Sequence, residues 1–236
     1  IDACLVGSEM CIRDSYIIAA TKMIVPYIEE NNIVILESTS PVGTTEKLEQ
    51  TLTDEGVDTS KIYISYCPER VLPGNIMQEL VENDRIVGGT NEEATTETIK
   101  FYKEFVSGEI FATDAKTAEM AKLTENSFRD VNIAFANELS ILCDNLSIDV
   151  TELIRLANRH PRVDILNPGP GVGGHCIAVD PWFIINKDPE NARIIKTARE
   201  INLFKTEWVI EKIKNEAQKF ERKNHKKPKI ACFGLA

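Results

Sequence analysis

One cysteine lies inside a loop of unusually small residues. Cys176 follows the glycine-rich run GPGVGGH, and Asp180 stands four residues later, directly before Pro181. A thiolate is a strong nucleophile, and the backbone N–H groups of a loop with few side chains can face a developing oxyanion. Asp180 could orient or deprotonate a water molecule. From this motif alone two interpretations stay open: covalent catalysis at Cys176, or a tight structural turn around a buried thiol.

A row of polar side chains precedes this loop by about fifty residues. Lys122, Asn126 and Arg129 stand at positions i, i+4 and i+7, so a helix would place them on one face. An ammonium, an amide and a guanidinium in this order could bind an anionic or oxyanionic ligand, although such a row is more often a solvated face. The surrounding alanine-rich sequence AEMAKLTENSFRDVNIAFANEL favours a partly buried helix, in which polar groups need partners.

Other polar residues follow predicted strands or helices. Arg70 comes after YCPE, and Thr39 and Ser40 come after the strand IVILES, at the carboxyl ends of strands where open α/β sheets bind ligands. His160 and Arg162 lie in NRHPRV, just after a predicted helix. Each of these residues taken alone is typical of a surface or a turn.

The elements that must position these residues fall into two regions. Over residues 16–112, predicted helices alternate with the strands NNIVILEST, KIYISYCPER, DRIVGG and GEIFAT, which indicates a parallel sheet with helices on its faces. From Thr113 the pattern becomes helical, and the next 33 or so residues contain neither Gly nor Pro. They predict one extended helix or two abutting helices.

Two further helices and a final strand complete the prediction. DVTELIRLANRH is a helix with Asp149 as its N-cap, and a very long helical pattern begins around Pro189 and could bridge two domains. KPKIACFGLA then predicts a buried strand. The predicted fold class is therefore α/β: a parallel sheet with helices on its faces, followed by an all-α region with a long connecting helix.

Composition excludes several functional classes. The chain of 236 residues is 43% hydrophobic and carries a formal net charge of -10, which disfavours binding to nucleic acid or to an anionic membrane. We expect a cytoplasmic protein, since no apolar run could span a bilayer and no signal-peptide pattern is present. Its six cysteines are scattered without a C-x-x-C pair or a Cys/His cluster, which disfavours a disulfide framework and a metal site.

Several long blocks, in this order, resemble the nucleotide-sugar 6-dehydrogenases of the UDP-glucose/GDP-mannose dehydrogenase family. They are ESTSPVGTTE, YCPERVLPGN, AKLTENSFRDVNIAFANELS, LANRHPRVDILNPGPGVGGHCIAVDPWFI and KIACFGLA. The resemblance covers about residues 16–236. It is strongest to bacterial members that act on UDP-N-acetyl-D-mannosamine.

The resemblance implies a four-electron oxidation of a UDP-sugar C6 hydroxyl to a carboxylate, with NAD as the cofactor. Cys176 matches the nucleophile, which forms a thiohemiacetal and then a thioester, and Asp180 matches the aspartate that helps to activate the hydrolytic water. Lys122 matches the catalytic lysine, with Asn126 beside it to stabilise the C6 oxyanion. Thr39 would contact NAD, and no metal is implied. The UDP-sugar contacts would come from Arg70, Val71, Arg129, His160, Arg162 and Gly173.

The resemblance also implies a domain organisation. Residues 1–112 would be the C-terminal part of an NAD-binding Rossmann-like domain, 113–227 a helical central and dimerisation domain with the catalytic loop, and 228–236 the first strand of a truncated UDP-binding domain. Residues about 5–15 depart from the family and look like non-native junction sequence. No strand followed by a G-x-G-x-x-G turn opens the chain. We therefore expect these 236 residues alone to be inactive or nearly so.

The expected partners are a UDP-sugar substrate and a second copy of the chain, which would form a homodimer through the helical domain. Three alternatives remain. The substrate could be UDP-N-acetylglucosamine or another UDP-hexose. The helical region could be a non-catalytic dimerisation scaffold. A thiol hydrolase that uses Cys176 and His160 is disfavoured, because no Asn or Asp clearly positions that histidine.

Overall fold

Helices dominate the computed structural model of the protein, which describes residues 15–71 and 74–233. The strands are β1 (Ile33–Leu36), β2 (Tyr63–Tyr66), β3 (Arg85–Gly89) and β4 (Ile110–Asp114). The α-helices are α1 (Ser15–Ile24), α2 (Thr44–Asp54), α3 (Ile76–Glu82), α4 (Glu92–Lys103), α5 (Ala115–Leu146), α6 (Val150–Ala157), α7 (Asp180–Lys187) and α8 (Arg193–Asn224). Two 3-10 turns lie at Val25–Tyr27 and Thr59–Lys61.

The chain forms two compact units, which are described separately below. The first unit contains the described residues up to Phe128 together with His175–Arg193. The second contains Arg129–Gly174 and the described residues from Ile194 onward. The division therefore falls within α5, whereas the predicted domain boundary lies between residues 112 and 113.

The first unit is built on a four-stranded sheet in the order β1-β2-β3-β4. β1 pairs with β2 in parallel, with Ile33 opposite Tyr63, and β3 pairs with β4 in parallel. β2 and β3, however, are antiparallel, with Ser65 opposite Gly89. The prediction of an α/β sheet is confirmed, but the expectation that all its strands run parallel is wrong at this central pair.

The connection between β2 and β3 explains the antiparallel pairing. A parallel pair needs a crossover that carries the chain back to the opposite end of the sheet. Here the two ends of the connection lie side by side: Arg70 Nη1 donates to the Asp84 carbonyl at 3.4 Å, and Asn83 Nδ2 donates to the Arg70 carbonyl at 3.4 Å. The short helix α3 lies between these contacts, so β3 enters the sheet from the edge at which β2 leaves it.

Two apolar clusters cover the sheet. One contains Val87 of β3 and Tyr102 of α4, both almost completely buried. The other joins β1, β2 and α2, and it includes Ala118 from the first turn of α5. Because Ala118 has no exposed surface, the start of α5 packs directly against this cluster. The cluster consists of Leu36, Leu48, Leu52, Ile62, Ile64, Tyr66 and Ala118.

The second unit has a buried polar network between α5 and α8. Arg199 Nη1 donates to Asp130 Oδ1 at 2.6 Å, and the two side chains are 2% and 0% exposed. Asn202 Nδ2 donates to the same carboxylate oxygen at 2.8 Å, and Asn137 Nδ2 donates to Asn202 Oδ1 at 2.9 Å. Asn137 Oδ1 accepts from the Gly169 N–H at 2.8 Å, so the network also holds the start of the glycine-rich loop. Burial raises the pKa of Asp130, and the Arg199 charge opposes that shift.

Several helix predictions are confirmed, with different limits. α5 is a single helix, and Asp149 caps α6 by accepting from the N–H groups of Thr151 and Glu152. The first helix, α1, ends at Ile24, where Pro26 leads into a 3-10 turn. The last helix begins at Arg193 rather than near Pro189.

The strand predicted in KPKIACFGLA does not form in residues 228–233. Ile230 and Phe233 are exposed there, and no neighbouring strand in the described part of the chain pairs with this segment. A strand needs a partner for its backbone N–H and C=O groups, and the sequence pattern cannot supply one.

We predict that Arg199→Ala lowers the free energy of unfolding by about 3–5 kcal/mol, because it leaves the Asp130 carboxylate buried without its cation. Urea denaturation would measure the loss. The exposed Arg222 of the same helix offers a matched control, whose replacement by Ala should change stability by less than about 0.5 kcal/mol. Equal losses in the two variants would show that the buried pair is not a major contributor.

Candidate active site

A turn at the end of the glycine-rich loop presents Cys176. The Cys176 carbonyl accepts from the N–H groups of Val179 at 3.0 Å and Asp180 at 2.9 Å, which fixes the chain just before α7. Pro181 occupies the first turn of this helix, a favourable position for a residue without an N–H. The Cys176 side chain is exposed, so the alternative interpretation, a turn around a buried thiol, is wrong.

Asp180 connects α7 to α5. Its carboxylate is almost fully buried, with the residue 4% exposed, and Oδ2 accepts from Asn126 Nδ2 at 2.5 Å. Burial raises the pKa of Asp180, while the hydrogen bond from Asn126 and the positive charge of Lys122 act in the opposite direction. The site therefore holds a carboxyl group that takes up a proton more readily than an exposed aspartate does.

Lys122 and Asn126 lie one turn apart on α5, and both belong to the first unit together with Cys176 and Asp180. Asn126 is buried and Lys122 is half-buried. The structure thus combines an accessible thiol, a buried carboxyl group, an amide and a cation. This set can supply a nucleophile, a general base and donors to an oxyanion.

The loop after β2 holds two of the residues predicted to contact a substrate. The backbone N–H groups of Arg70 and Val71 donate to the Glu69 carboxylate at 2.6 and 2.8 Å. The Arg70 guanidinium forms an ion pair with Glu125, the residue before Asn126 on α5. This loop is therefore attached to the helix that carries Lys122.

The remaining predicted residues lie elsewhere. Thr39 is half-buried in the turn after β1. Four others belong to the second unit, and their predicted contacts with a UDP-sugar stay predictions. They are Arg129, His160, Arg162 and Gly173.

Sequence reasoning missed two buried polar residues of the first unit. Glu119 has no exposed surface, and its carboxylate accepts hydrogen bonds from Gly43 and Thr45 at the start of α2. The Tyr66 hydroxyl, also fully buried, has no hydrogen-bond partner among the described residues. Burial raises the Tyr66 pKa above its usual range, and the carboxylates of Glu119 and Asp180 act in the same direction. The sequence feature that could have identified Glu119 is its position three residues before Lys122, which places both residues on the same face of a helix.

The described residues fit part of a dinucleotide site. The turn after β1 lies at the carboxyl end of a parallel strand, as ligand-binding turns do in open α/β sheets. The glycine-rich segment 169–174 follows no strand, and α7 begins only at Asp180, so it is not the phosphate-binding turn of a Rossmann fold.

Over residues 15–71 and 74–233, no helix has the length and apolar character needed to cross a membrane. In the same residues, no group of three or more His, Cys, Asp or Glu side chains is arranged to hold a metal ion.

Two domain models of one family match most of the chain. The NAD binding domain of the UDP-glucose/GDP-mannose dehydrogenase family matches residues 12–106, and the central domain of the same family matches residues 116–203. The chain belongs to the UDP-glucose/GDP-mannose dehydrogenase family. These matches confirm the predicted family, the Rossmann-like domain and the assignment of NAD as the cofactor. The predicted domain limits stay predictions, and the junction predicted at residues about 5–15 lies outside the described residues except for Ser15.

Individual members of the UDP-glucose/GDP-mannose dehydrogenase family are similar over almost the whole chain. A UDP-N-acetyl-D-mannosamine dehydrogenase of Campylobacter jejuni is 58% identical over 94% of this chain and 55% of its own length. An NDP-N-acetyl-D-galactosaminuronic acid dehydrogenase of Ralstonia solanacearum is 54% identical over 94% of this chain and 53% of its own. The solved UDP-D-ManNAc dehydrogenase of Pyrococcus horikoshii superimposes with a TM-score of 0.81 at 43% identity, over 88% of this chain and 50% of its own. The chain spans about half the length of these relatives.

We predict that Asp180→Asn raises the free energy of unfolding more near neutral pH than at acidic pH. An aspartate whose folded pKa is raised costs no stability below its unfolded pKa, and the cost grows as the pH rises to the folded value. The substituted amide keeps an acceptor for Asn126 and removes the buried charge. Urea unfolding at about pH 4 and about pH 8 would measure the difference.

The exposed Asp164 provides a control, since Asp164→Asn should change stability little at either pH. If Asp180→Asn has the same effect on stability at both pH values, the buried carboxylate is not the cause.

Proposed function

We propose that the protein containing these residues is an NAD-dependent UDP-sugar 6-dehydrogenase, with UDP-N-acetyl-D-mannosamine as its substrate. The observation that carries the proposal is the exposed Cys176 thiol, four residues before a buried aspartate that is bonded to Asn126 beside Lys122. The family match and the names of the similar proteins support this choice of reaction and sugar.

The first oxidation converts the C6 alcohol to an aldehyde. NAD+, when bound, supplies the hydride acceptor. In this step the Lys122 ammonium and the Asn126 amide stabilise the negative charge that develops on the C6 oxygen. Both groups are held on one long helix, so little reorganisation is needed when that charge appears.

Cys176 then captures the aldehyde. Its sulfur bonds to C6, and the carbonyl oxygen takes up a proton, which gives a thiohemiacetal. Loss of a second hydride and a proton converts this adduct to a thioester on Cys176. Water then attacks the thioester, and the products are the carboxylate and the free thiol. Over the whole reaction, one alcohol, one water and two NAD+ become one carboxylate, two NADH and three protons.

Asp180 acts in the hydrolytic step. A general base works best when its pKa lies near the working pH, and burial moves the pKa of Asp180 upward from the ordinary value of an aspartate. We assign Asp180 to orient the attacking water and accept its proton. Asn126, which donates to the same carboxylate, keeps it directed toward α5.

The remaining assignments follow the resemblance. Thr39 would contact NAD. Dimerisation through the helical region is supported by exposed apolar side chains in the second unit, among them Phe135, Leu142 and Phe204. The UDP-sugar would be bound by Arg70, Val71, Arg129, His160, Arg162 and Gly173.

The stoichiometry of NADH formation tests the reaction. We expect the full protein that contains these residues to form two NADH for each UDP-N-acetyl-D-mannosamine that it oxidises. Cys176→Ser should lower turnover by at least about a thousandfold, because a neutral hydroxyl is a much weaker nucleophile than a thiolate and no thioester can form. Cys232→Ser replaces another exposed thiol and should leave the rate unchanged. One NADH per sugar, or full activity of Cys176→Ser, would contradict the proposed mechanism.

The same assay distinguishes the substrates. The 54% identity to an NDP-N-acetyl-D-galactosaminuronic acid dehydrogenase makes the UDP-N-acetyl-D-galactosamine epimer a second candidate, and UDP-N-acetylglucosamine is a third. The highest kcat/KM identifies the preferred sugar. If no UDP-sugar yields NADH, the helical region is better explained as a dimerisation scaffold.

We expect the 236 residues alone to form no measurable NADH, because no phosphate-binding turn of the Rossmann type occurs in their described part. Steady NADH production by these residues with UDP-N-acetyl-D-mannosamine would show that they bind both ligands without it.

A further inference from the structure

Glu119 is a fully buried carboxylate that joins two distant parts of the first unit. One oxygen accepts from the Gly43 N–H at 2.5 Å, and the other accepts from the Thr45 N–H at 2.8 Å and the Thr45 hydroxyl at 2.7 Å. These partners are 76 and 74 residues away in the sequence. All three contacts are hydrogen bonds to a charged group, which are stronger than those between neutral groups.

The contact replaces an ordinary helix cap. α2 begins after Gly43, which has no side chain and takes a left-handed backbone conformation with φ of 94°. The free N–H groups and the positive end of the helix dipole therefore attract a carboxylate, and Glu119 of α5 provides it. A cap from a neighbouring Ser, Thr or Asp would stabilise α2 equally well without any connection to α5.

The face of α5 that carries Glu119 also carries the proposed catalytic groups. Glu119, Lys122 and Asn126 lie at positions i, i+3 and i+7, so they share one side of the helix. Asn126 bonds to Asp180 at the far end of this row. One rigid helix face is thus bonded to the turn after β1 at one end and to α7 at the other.

The turn after β1 is short and stiff. The Thr44 N–H and hydroxyl both bond to the Pro41 carbonyl, at 3.2 and 2.6 Å, and the buried Ser40 hydroxyl donates to the Ser38 carbonyl at 2.8 Å. We therefore expect a displacement of Gly43 to shift the backbone of Thr39, four residues earlier.

We propose that Glu119 is a positioning residue, which holds the turn at residues 39–43 in register with Lys122 and Asn126. The inference rests on the proposed function, in which this turn contacts NAD through Thr39. Glu119 itself is buried beneath the turn and touches no reacting atom.

Glu119→Gln tests the proposal with the smallest change in shape. Its single carbonyl oxygen can still accept from Thr45, but its NH2 group then faces the Gly43 N–H, so that two donors oppose each other. The variant therefore loses the contact with the Gly43 N–H, which is the one nearest to Thr39 in the sequence. It keeps an acceptor for Thr45, so α2 remains partly capped. Two variants serve as controls. Glu138→Gln makes the same chemical change at an exposed site on α5, and Leu52→Ala weakens the α2 core without touching the turn.

The first readout is amide hydrogen exchange on the full protein without ligands. In Glu119→Gln we expect the Gly43 amide to exchange about tenfold faster or more, while the amides near Leu48 stay protected. Leu52→Ala should show the reverse pattern. An unchanged Gly43 amide in Glu119→Gln would overturn the proposal.

The second readout is the kinetics of the full enzyme. Glu119→Gln should raise the KM for NAD+ about tenfold or more and change the KM for the UDP-sugar less than about twofold. Both KM values should be unaffected in Glu138→Gln and Leu52→Ala. If Glu119→Gln only lowers the melting temperature, as Leu52→Ala does, Glu119 has a structural role and the proposal fails.

The two readouts separate this inference from the proposed function. If the parent protein forms no NADH with any UDP-sugar, the proposed function fails, and hydrogen exchange at Gly43 still decides whether Glu119 holds the turn. If the parent is active and exchange at Gly43 is unchanged in Glu119→Gln, the proposed function stands and the positioning role is refuted.

Discussion

The hydrogen bond between Asn126 and the buried carboxylate of Asp180 is the contact on which the candidate site depends. A carboxylate removed from water is costly unless a donor satisfies it, so α7 can begin at this buried aspartate only where α5 presents an amide. That requirement fixes α7 against α5, and the turn that opens α7 then places the Cys176 thiol in solvent. The same burial raises the pKa of Asp180, which suits it to accept a proton.

Three further contacts within the first unit also depend on the helix α5. Its early turns contribute Ala118 to the apolar cluster on the sheet, and Glu119 caps α2. Glu125 pairs with Arg70, which ties the loop after β2 to the same helix. A long helix without Gly or Pro is stiff, so groups bonded to successive turns keep their spacing. Rigid placement of this kind allows a few polar side chains to act on one carbon atom.

Local pattern was enough to predict the four strands of the sheet, a continuous helical stretch at α5 and the Asp149 cap, because these depend on residues close together in the chain. Local pattern did not predict the features that depend on contacts between residues far apart in the sequence. The antiparallel β2–β3 pair depends on contacts between Arg70 and the end of α3, and the buried state of Glu119 depends on the free N–H groups of α2. The sequence analysis did not predict α7, because this helix is short and has no side-chain cap, and Pro181 is its main start signal. The proposed role of Cys176 rests on the family resemblance, whereas its exposure is a property of the structure.

Direct observation of the covalent intermediate would test the mechanism most sharply. We expect Asp180→Asn in the full enzyme to complete both oxidations and to hydrolyse the thioester slowly. Intact-protein mass spectrometry after mixing with NAD+ and UDP-N-acetyl-D-mannosamine should then show the enzyme plus one nucleotide-linked uronyl group, located on the peptide containing Cys176 and absent from the Cys176→Ala/Asp180→Asn double variant. Turnover of the sugar by Asp180→Asn at the parent rate, or an adduct on another residue, would contradict the assignment of Cys176 and Asp180.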